Sequence, residues 1–399
     1  MALKTRFNRL ELAGSLGDLG TILPLALGMI MINGLDAMSL FLCVGLYYIL
    51  SGAYFGVTSP VQPMKVIGAY AIATGISAPQ IMASSVLVGV AFMIIGATKA
   101  INFLGRHIPR ATVRGVQLST GVLLILQGVK LMLGTSTIQA LHSMAEPYFG
   151  FQNVGPLPIG VLIGVVAGIV TLLLIDNRKL PAGLVIILGG LALGLLAGTR
   201  DGLDQIRIGI NMPKILPFGV PAGGDFLAAL LLLVIPQLPM TLGNAIVANA
   251  DLSQQYFGAA AKKVTYRSLC ISLGLANLGS FFLGGMPMCS GAGGLAAHYR
   301  FGARTAGSNY MIGLIFIFFA VFLGSYSLAL FTLIPMAVLG VLLVFAGSQL
   351  ALTLLDVGSR KDLFVCLIIL GITLGSNLAV GFLVGLGLAY ALKWHKLNV

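Results

Sequence analysis

The sequence predicts an all-α polytopic membrane protein of about fourteen transmembrane helices, arranged as two inverted seven-helix repeats. Three observations lead there. The 399 residues are 58% hydrophobic and only 9% charged, a composition outside the range of soluble domains. Apolar runs of spanning or near-spanning length recur from Leu12 to Ala391. The two halves share a pattern of interrupted spans. Leu23-Pro24-Leu25-Ala26-Leu27-Gly28 aligns with Leu238-Pro239-Met240-Thr241-Leu242-Gly243, and Phe55 and Pro60 align with Phe282 and Pro287. An odd number of spans per half forces opposite orientations. Inverted repeats with helices broken at matching positions mark secondary transporters with a site near the midplane.

In chain order, the first span runs over Glu11 to Met31 and is weakened by Gly17, Gly20 and Pro24. The second covers Met38 to Gly56. Thr58-Ser59-Pro60-Val61-Gln62-Pro63-Met64-Lys65 heads a short third helix ending near Gly75. Spans four (Gln80 to Ile101) and five (Val113 to Leu133) follow. Six and seven then meet at Asp176-Asn177-Arg178-Lys179, and the outer loop Thr199 to Pro221 closes the first half. The repeats are expected at 1–215 and 216–399, with short half-helices three and ten. No cleavable leader is expected after the basic Met1 to Arg9. Since the chain stops at Val399, just past Trp394, no soluble C-terminal regulatory domain is expected either.

Net charge of +12 invites a nucleic-acid reading, which the placement of the charges excludes. Lys4, Arg6, Arg9, Lys99, Arg106, Arg110, Arg114, Arg178, Lys179, Lys262, Lys263, Arg267, Arg300, Arg304, Arg360, Lys361, Lys393 and Lys396 all fall on one side of the predicted spans. Arg200, Arg207 and Lys214 share one loop on the other side. The positive-inside rule puts both termini in the cytoplasm of a cell (inner) membrane. Cys43, Cys270, Cys289 and Cys366 are scattered through spans without a CxxC pair; they read as apolar packing residues, and no metal site or cofactor is expected.

The segment Met286-Pro287-Met288-Cys289-Ser290-Gly291-Ala292-Gly293-Gly294 is too short to span. As a half-helix with proline in its first turn it would present free N–H groups, and small residues would let an anion approach the positive end of the dipole. A tight helix-packing turn is the plainer alternative. Lys65 lies about one turn into short helix three, either as a ligand of an anionic substrate or as a partner of Asp18. In span eight, Gln237, Thr241, Asn244 and Asp251 fall near one helical face, as do Glu11, Ser15 and Asp18 in span one. Polar stripes of this kind line cavities or bond helices together. Glu11 also reads as an interfacial counter-charge to Arg6 and Arg9.

An enzyme finds no support. Ser290 and His298 on one short helix would lie roughly 12 Å apart at 1.5 Å rise per residue, beyond a shared hydrogen bond. No Gly-Lys-Ser/Thr follows the glycines, so a nucleotide-binding loop is excluded.

At Gly17-Asp18-Leu19-Gly20-Thr21, Pro60-Val61-Gln62-Pro63-Met64-Lys65, Pro236-Gln237-Leu238-Pro239, Cys289-Ser290-Gly291-Ala292-Gly293-Gly294 and Tyr299-Arg300-Phe301-Gly302-Ala303-Arg304 the sequence resembles the molybdate-transporter family, relatives of the sulfate permeases. The resemblance implies a core (spans 1–4 and 8–11) moving against a gate (spans 5–7 and 12–14). Substrate would sit between the starts of helices three and ten. Carried over, Ser59, Gln62 and Lys65 face Cys289, Ser290 and Gly291, with Thr21 and Gln237 on the walls. The resemblance also makes a homodimer reasonable.

The function expected is import of a tetrahedral dianion, molybdate first and sulfate second, by an elevator-like cycle. Importing a dianion against a negative-inside potential costs about 2.3 kcal/mol per charge per 100 mV, so coupling to a cation is expected. The proton is the preferred ion, with Asp18 or Asp251 as acceptor. A nucleobase permease is disfavoured, because Gln237, Cys289 and Ser290 stand where such sites use carboxylates. A passive anion channel would be separated by uphill accumulation in sealed vesicles.

Overall fold

The computed structural model describes residues 4–98, 100, 109–136, 139–140, 144–146, 149–175, 177, 182–198, 209–324 and 333–393. Lys99, Arg106, Arg178, Lys179, Arg200, Arg207 and Lys396, part of the charge pattern above, lie outside these residues, as does Asp176 of the turn between spans six and seven.

Helices dominate. They are α1 (Arg9–Leu16), α2 (Leu19–Met31), α3 (Ala37–Phe55), α4 (Lys65–Thr74), α5 (Ala78–Thr98), α6 (Arg110–Leu133), α7 (Ile159–Leu174) and α8 (Ala182–Ala197). A continuous helical stretch follows, built of α9 (Gly223–Ala229), a π-helical turn (Leu230–Val234), α10 (Ile235–Met240), a second π-helix (Thr241–Ala248) and α11 (Asn249–Phe257). The chain continues with α12 (Tyr266–Leu283), α13 (Ala292–Arg300), α14 (Ala306–Leu323), α15 (Met336–Ala351), α16 (Arg360–Gly375) and α17 (Leu378–Ala391). Polar N-caps start several of them: Asp36 accepts from Ser39 N, Thr265 from Ser268 N, and Asn377 from Val380 N, each satisfying an otherwise orphaned amide.

Among the described residues six helices are long and apolar enough to cross a membrane, or seven if the bent pair α1–α2 is one span. This is fewer than the expected fourteen by that measure. Part of the difference lies in four apolar helices of 10 to 17 residues, Lys65–Thr74, Ile159–Leu174, Ala182–Ala197 and Leu378–Ala391, which a hydropathy scan counts as spans. Span one is not continuous. α1 and α2 meet at 46°, where the Gly17 N–H turns back to the Gly14 carbonyl and Asp18 begins the next helix.

Glycine sets how closely the helices approach. Along α3 and α14, a Cβ on Gly45 would lie 2.7 Å from the Gly313 carbonyl oxygen, and one on Gly313 2.8 Å from that of Gly45. Gly121 of α6 and Gly347 of α15 oppose each other the same way, at 2.5 Å each. With lipid on the outside there is little hydrophobic drive between helices, so close backbone packing at small residues supplies the contact. A second pair of sheet-like elements is local: β2 (Asn153–Val154) and β3 (Leu157–Pro158) form a hairpin ahead of α7.

The expected proline-headed half-helices are corrected in detail. Pro60 and Pro287 lie outside any helix. Each precedes a two-residue extended segment, β1 (Gln62–Pro63) and β4 (Met288–Cys289), and α4 and α13 begin only at Lys65 and Ala292. Lys65 is therefore the first residue of its helix, not one turn into it. The two helix starts are separated along the chain by the same number of residues as Pro60 and Pro287.

Candidate functional site: two short helices entered from a crossed pair of strands

β1 and β4 run antiparallel in the protein interior, with Gln62 opposite Cys289 and Pro63 opposite Met288. The pairing is short because proline has no N–H to donate. Neighbouring bonds extend it: the Met64 N–H donates to the Pro287 carbonyl at 2.9 Å, and the Cys289 thiol to the Pro63 carbonyl at 3.4 Å. Asn277 of α12 clamps β4 from behind, donating to the Met288 carbonyl at 2.8 Å and accepting from the Met288 N–H at 2.9 Å. Asn309 of α14 does the same for the approach to β1, accepting from Ser59 N at 3.0 Å and donating to Ser59 O at 2.8 Å. Buried backbone must find such partners, which is why asparagines stand at these two positions in apolar helices.

The two helices entered from these strands are capped differently. At the start of α4 the amides of Val66 and Ile67 both donate to Gln237 Oε1, at 2.9 and 3.1 Å, and the Gln237 Nε2 donates to Thr241 Oγ1 at 2.8 Å. At the start of α13 no side chain caps the helix. Among the described residues no acceptor meets the N–H groups of Ala292 and Gly293. Gly293 is exposed, and it lines a cavity of about 820 Å³.

Thr21, Lys65, Asn244, Gly293 and Arg300 line that cavity together with Arg114 of α6 and Thr353 after α15. Lys65, Arg114 and Arg300 are the only charged residues among its described lining, so the space favours anions. Arg114 is partly neutralised, since it pairs through two nitrogens with Asp356 and donates to Gln117 Oε1 at 2.7 Å. A second cavity of about 460 Å³ between α3 and α12 is lined mainly by apolar side chains and holds no charged residue, and it is unsuited to a dianion.

The structure brings most of the sequence-predicted site residues to one place. Thr21 and Lys65 border the cavity. Ser59, Gln62, Cys289, Ser290, Gly291, Gln237 and Asp18 are buried directly around the crossing. The Asp18 carboxylate, 2% exposed, accepts from Gln62 Nε2 at 2.7 and 2.8 Å. Gln62 is its hydrogen-bond partner, and Lys65 lines the cavity outside salt-bridge distance of it. Ser290 is held by Asn249 Nδ2, which reaches both its carbonyl (2.7 Å) and its hydroxyl (3.1 Å).

Asp251 is not brought there. It is exposed and accepts from the Tyr266 hydroxyl at 2.8 Å. The helical stripe that would have aligned it with Gln237 and Thr241 is interrupted by the π-helix Thr241–Ala248, whose wider turns rotate everything after it. Glu11 is corrected as well. It is buried, and its carboxylate accepts from Arg304 N and Thr305 N at 3.0 and 3.1 Å, so it closes the turn after α13 instead of balancing Arg6 and Arg9. Thr58, Ser308 and His298, whose association no local pattern in the sequence showed, form one buried chain with Thr58 Oγ1 2.8 Å from His298 Nδ1. Their partners are some 240 residues away, and no local spacing announces them.

The helix arrangement is that of solved multi-pass membrane proteins. The transmembrane domain of a cyanobacterial bicarbonate transporter superposes with a TM-score of 0.64 at 18% identity, over 96% of this chain and 98% of that one. A mouse solute carrier 26 family member A9 anion transporter in the inward-facing state gives 0.68 at 15%, over all of this chain and 70% of that one. The sequence narrows this further. Residues 10–124 and 229–350 match the family described as molybdate transporter of MFS superfamily. The chain is 31% identical to molybdate transporter 1 of Arabidopsis thaliana over 97% of its length and 88% of that protein's. It is 29% identical to molybdate transporter 1 of Chlamydomonas reinhardtii, over 94% and 90%. The chain belongs to the molybdate-transporter family, as a multi-pass membrane protein with the sulfate-permease type of fold.

Proposed function

We propose that this protein imports a tetrahedral oxyanion, molybdate before sulfate, as a secondary active transporter. The observation that carries the reading is the cavity whose charged lining, among the described residues, is wholly basic and which meets the uncapped start of α13. Two open amides, a helix dipole and an ammonium together replace an anion's hydration. The relatives' names favour molybdate.

Ser59, Gln62, Cys289, Ser290 and Gly291 shape the substrate site from behind, with Thr21 and Gln237 as its walls. The chain is read as two inverted repeats, 1–215 and 216–399. The core carries the site past the gate in an elevator-like movement, working as a homodimer in a cell (inner) membrane with both termini cytoplasmic. Protons drive the cycle, and Asp18 is the preferred acceptor because it is buried at the crossing next to Gln62. Asp251, on an exposed helix surface, is the weaker candidate.

The test is uptake of radiolabelled molybdate into proteoliposomes containing the purified protein, under an imposed pH gradient. Concentrative uptake that collapses with an uncoupler supports the reading, and sulfate competition ranks the two anions. Equilibration without accumulation would make it a channel. An Asp18→Asn variant that kept pH-driven accumulation would remove that residue from the coupling.

A further inference from the structure

The start of α4 is capped by a side chain from elsewhere in the protein. Gln237 Oε1 takes two amide hydrogen bonds, from Val66 and Ile67, as an oxyanion oxygen would. On α13 the equivalent of Val66, Gly293, is left open at the cavity, whereas the equivalent of Ile67, Gly294, donates to the Gly291 carbonyl at 3.1 Å. Gln237 sits in α10, only six residues long, with a π-helical segment on each side and prolines at 236 and 239. π-helical turns concentrate at functional sites, and each proline deletes a backbone bond that would stiffen the helix. Outside α4, the Gln237 side chain is held by one hydroxyl, Thr241 Oγ1. Met240 and Asn244, on either side of Thr241, line the cavity.

We infer that Gln237 is an internal stand-in for the substrate, a residue that sets affinity and release by exchanging with the anion at the Val66 and Ile67 amides. This rests on the oxyanion reading above and goes beyond it. In the empty protein the glutamine carbonyl satisfies the two buried donors, which would otherwise carry the full cost of lost hydration. When a dianion enters from the open α13 side, α10 rotates about its flanking π turns and Oε1 withdraws. The anion then bridges both helix starts. On release Gln237 returns, so the amides are never left bare and the anion has a competitor that speeds its departure.

The experiment is molybdate binding by calorimetry on the purified full chain, together with uptake kinetics in proteoliposomes, for wild type, Gln237→Ala and Gln237→Glu. Removing the competitor is expected to tighten Kd about tenfold and lower KM with it, while Vmax falls because release slows. A cap that only holds α4 in place would give the opposite: weaker or unchanged binding in a folded Q237A protein overturns the inference. Gln237→Glu keeps both acceptor bonds, and so the fold, but locks a negative charge on the amides. It is expected to melt no lower than wild type and to bind molybdate at least a hundredfold more weakly. Wild-type affinity in Q237E also overturns the inference, and it does so even if Q237A fails to fold. Failure of the wild-type protein to bind any oxyanion would instead overturn the transport reading, and this inference with it.

Discussion

Two adjacent glycines at the start of α13 separate stability from binding. Neither has a positive φ, so alanine is acceptable to the backbone at both, and only the surroundings differ. A Cβ on Gly293 meets nothing within 4 Å and points into open space at the cavity. A Cβ on Gly294 would lie 2.6 Å from Asp18 Oδ2, 2.7 Å from Gln62 Nε2 and 2.8 Å from Pro60 Cβ. For Gly293→Ala, helix propensity adds up to about 1 kcal/mol, so the melting temperature should hold or rise. The methyl group stands where an oxyanion must approach the amides. Losing one charge-assisted bond of about 1.5–3 kcal/mol weakens binding roughly 10- to 100-fold. For Gly294→Ala, the same propensity gain is outweighed by overpacking of about 1–3 kcal/mol and by disruption of the Gln62–Asp18 bonds, each worth about 1.5–3 kcal/mol. The variant should melt markedly lower. Thermal unfolding and molybdate calorimetry on the two purified variants read both quantities. Wild-type affinity in Gly293→Ala, or wild-type stability in Gly294→Ala, would refute this account of the helix start.

Three further outcomes follow from single side chains. Lys65→Met should leave the fold intact and weaken molybdate binding by about 2 kcal/mol or more, some thirtyfold, with Lys65→Arg intermediate by calorimetry. Glu11→Ala strands the buried amides of Arg304 and Thr305 at about 1–3 kcal/mol each; a lowered melting temperature, partly restored in Glu11→Gln, is the check. Glu146, in the segment between α6 and α7, accepts from Met336 N and Ala337 N at 2.7 and 2.8 Å, and burial pushes its carboxyl up from 4.5 to about 7 against the pull of those amides. The folded protein then holds this proton more tightly than the unfolded chain does. Its contribution is full below about pH 4.5 and is lost as pH rises to about 7. Melting temperature should therefore fall across that window in wild type and stay flatter in Glu146→Gln.

What the sequence made legible was the part written in local pattern. Pro60 and Pro287 marked the two places where spans break, because proline and its neighbours cannot continue a ladder of hydrogen bonds. Lys65 and the glycines after Cys289 marked the two helix starts that border the cavity, because a cation and small residues are costly ornaments in an apolar run. Non-local partnerships left no such trace. Gln62 meets Asp18 across 44 residues, and Glu11 reaches Thr305 across 294. Asp251 drew attention through an α-helical period that the π-helix before it breaks. The strand crossing at Gln62 and Cys289 was hidden because two residues are too few to show any alternation.

We propose that molybdate is held where the crossed strands release α4 and α13. Anomalous diffraction at the molybdenum absorption edge, from crystals of the protein grown with molybdate, locates the metal without reference to any assumption about the site. One strong peak is expected in contact with Lys65 and the Ala292 and Gly293 amides, with Gln237 turned away from α4. A peak elsewhere in the cavity, or at the apolar cleft between α3 and α12, would contradict it.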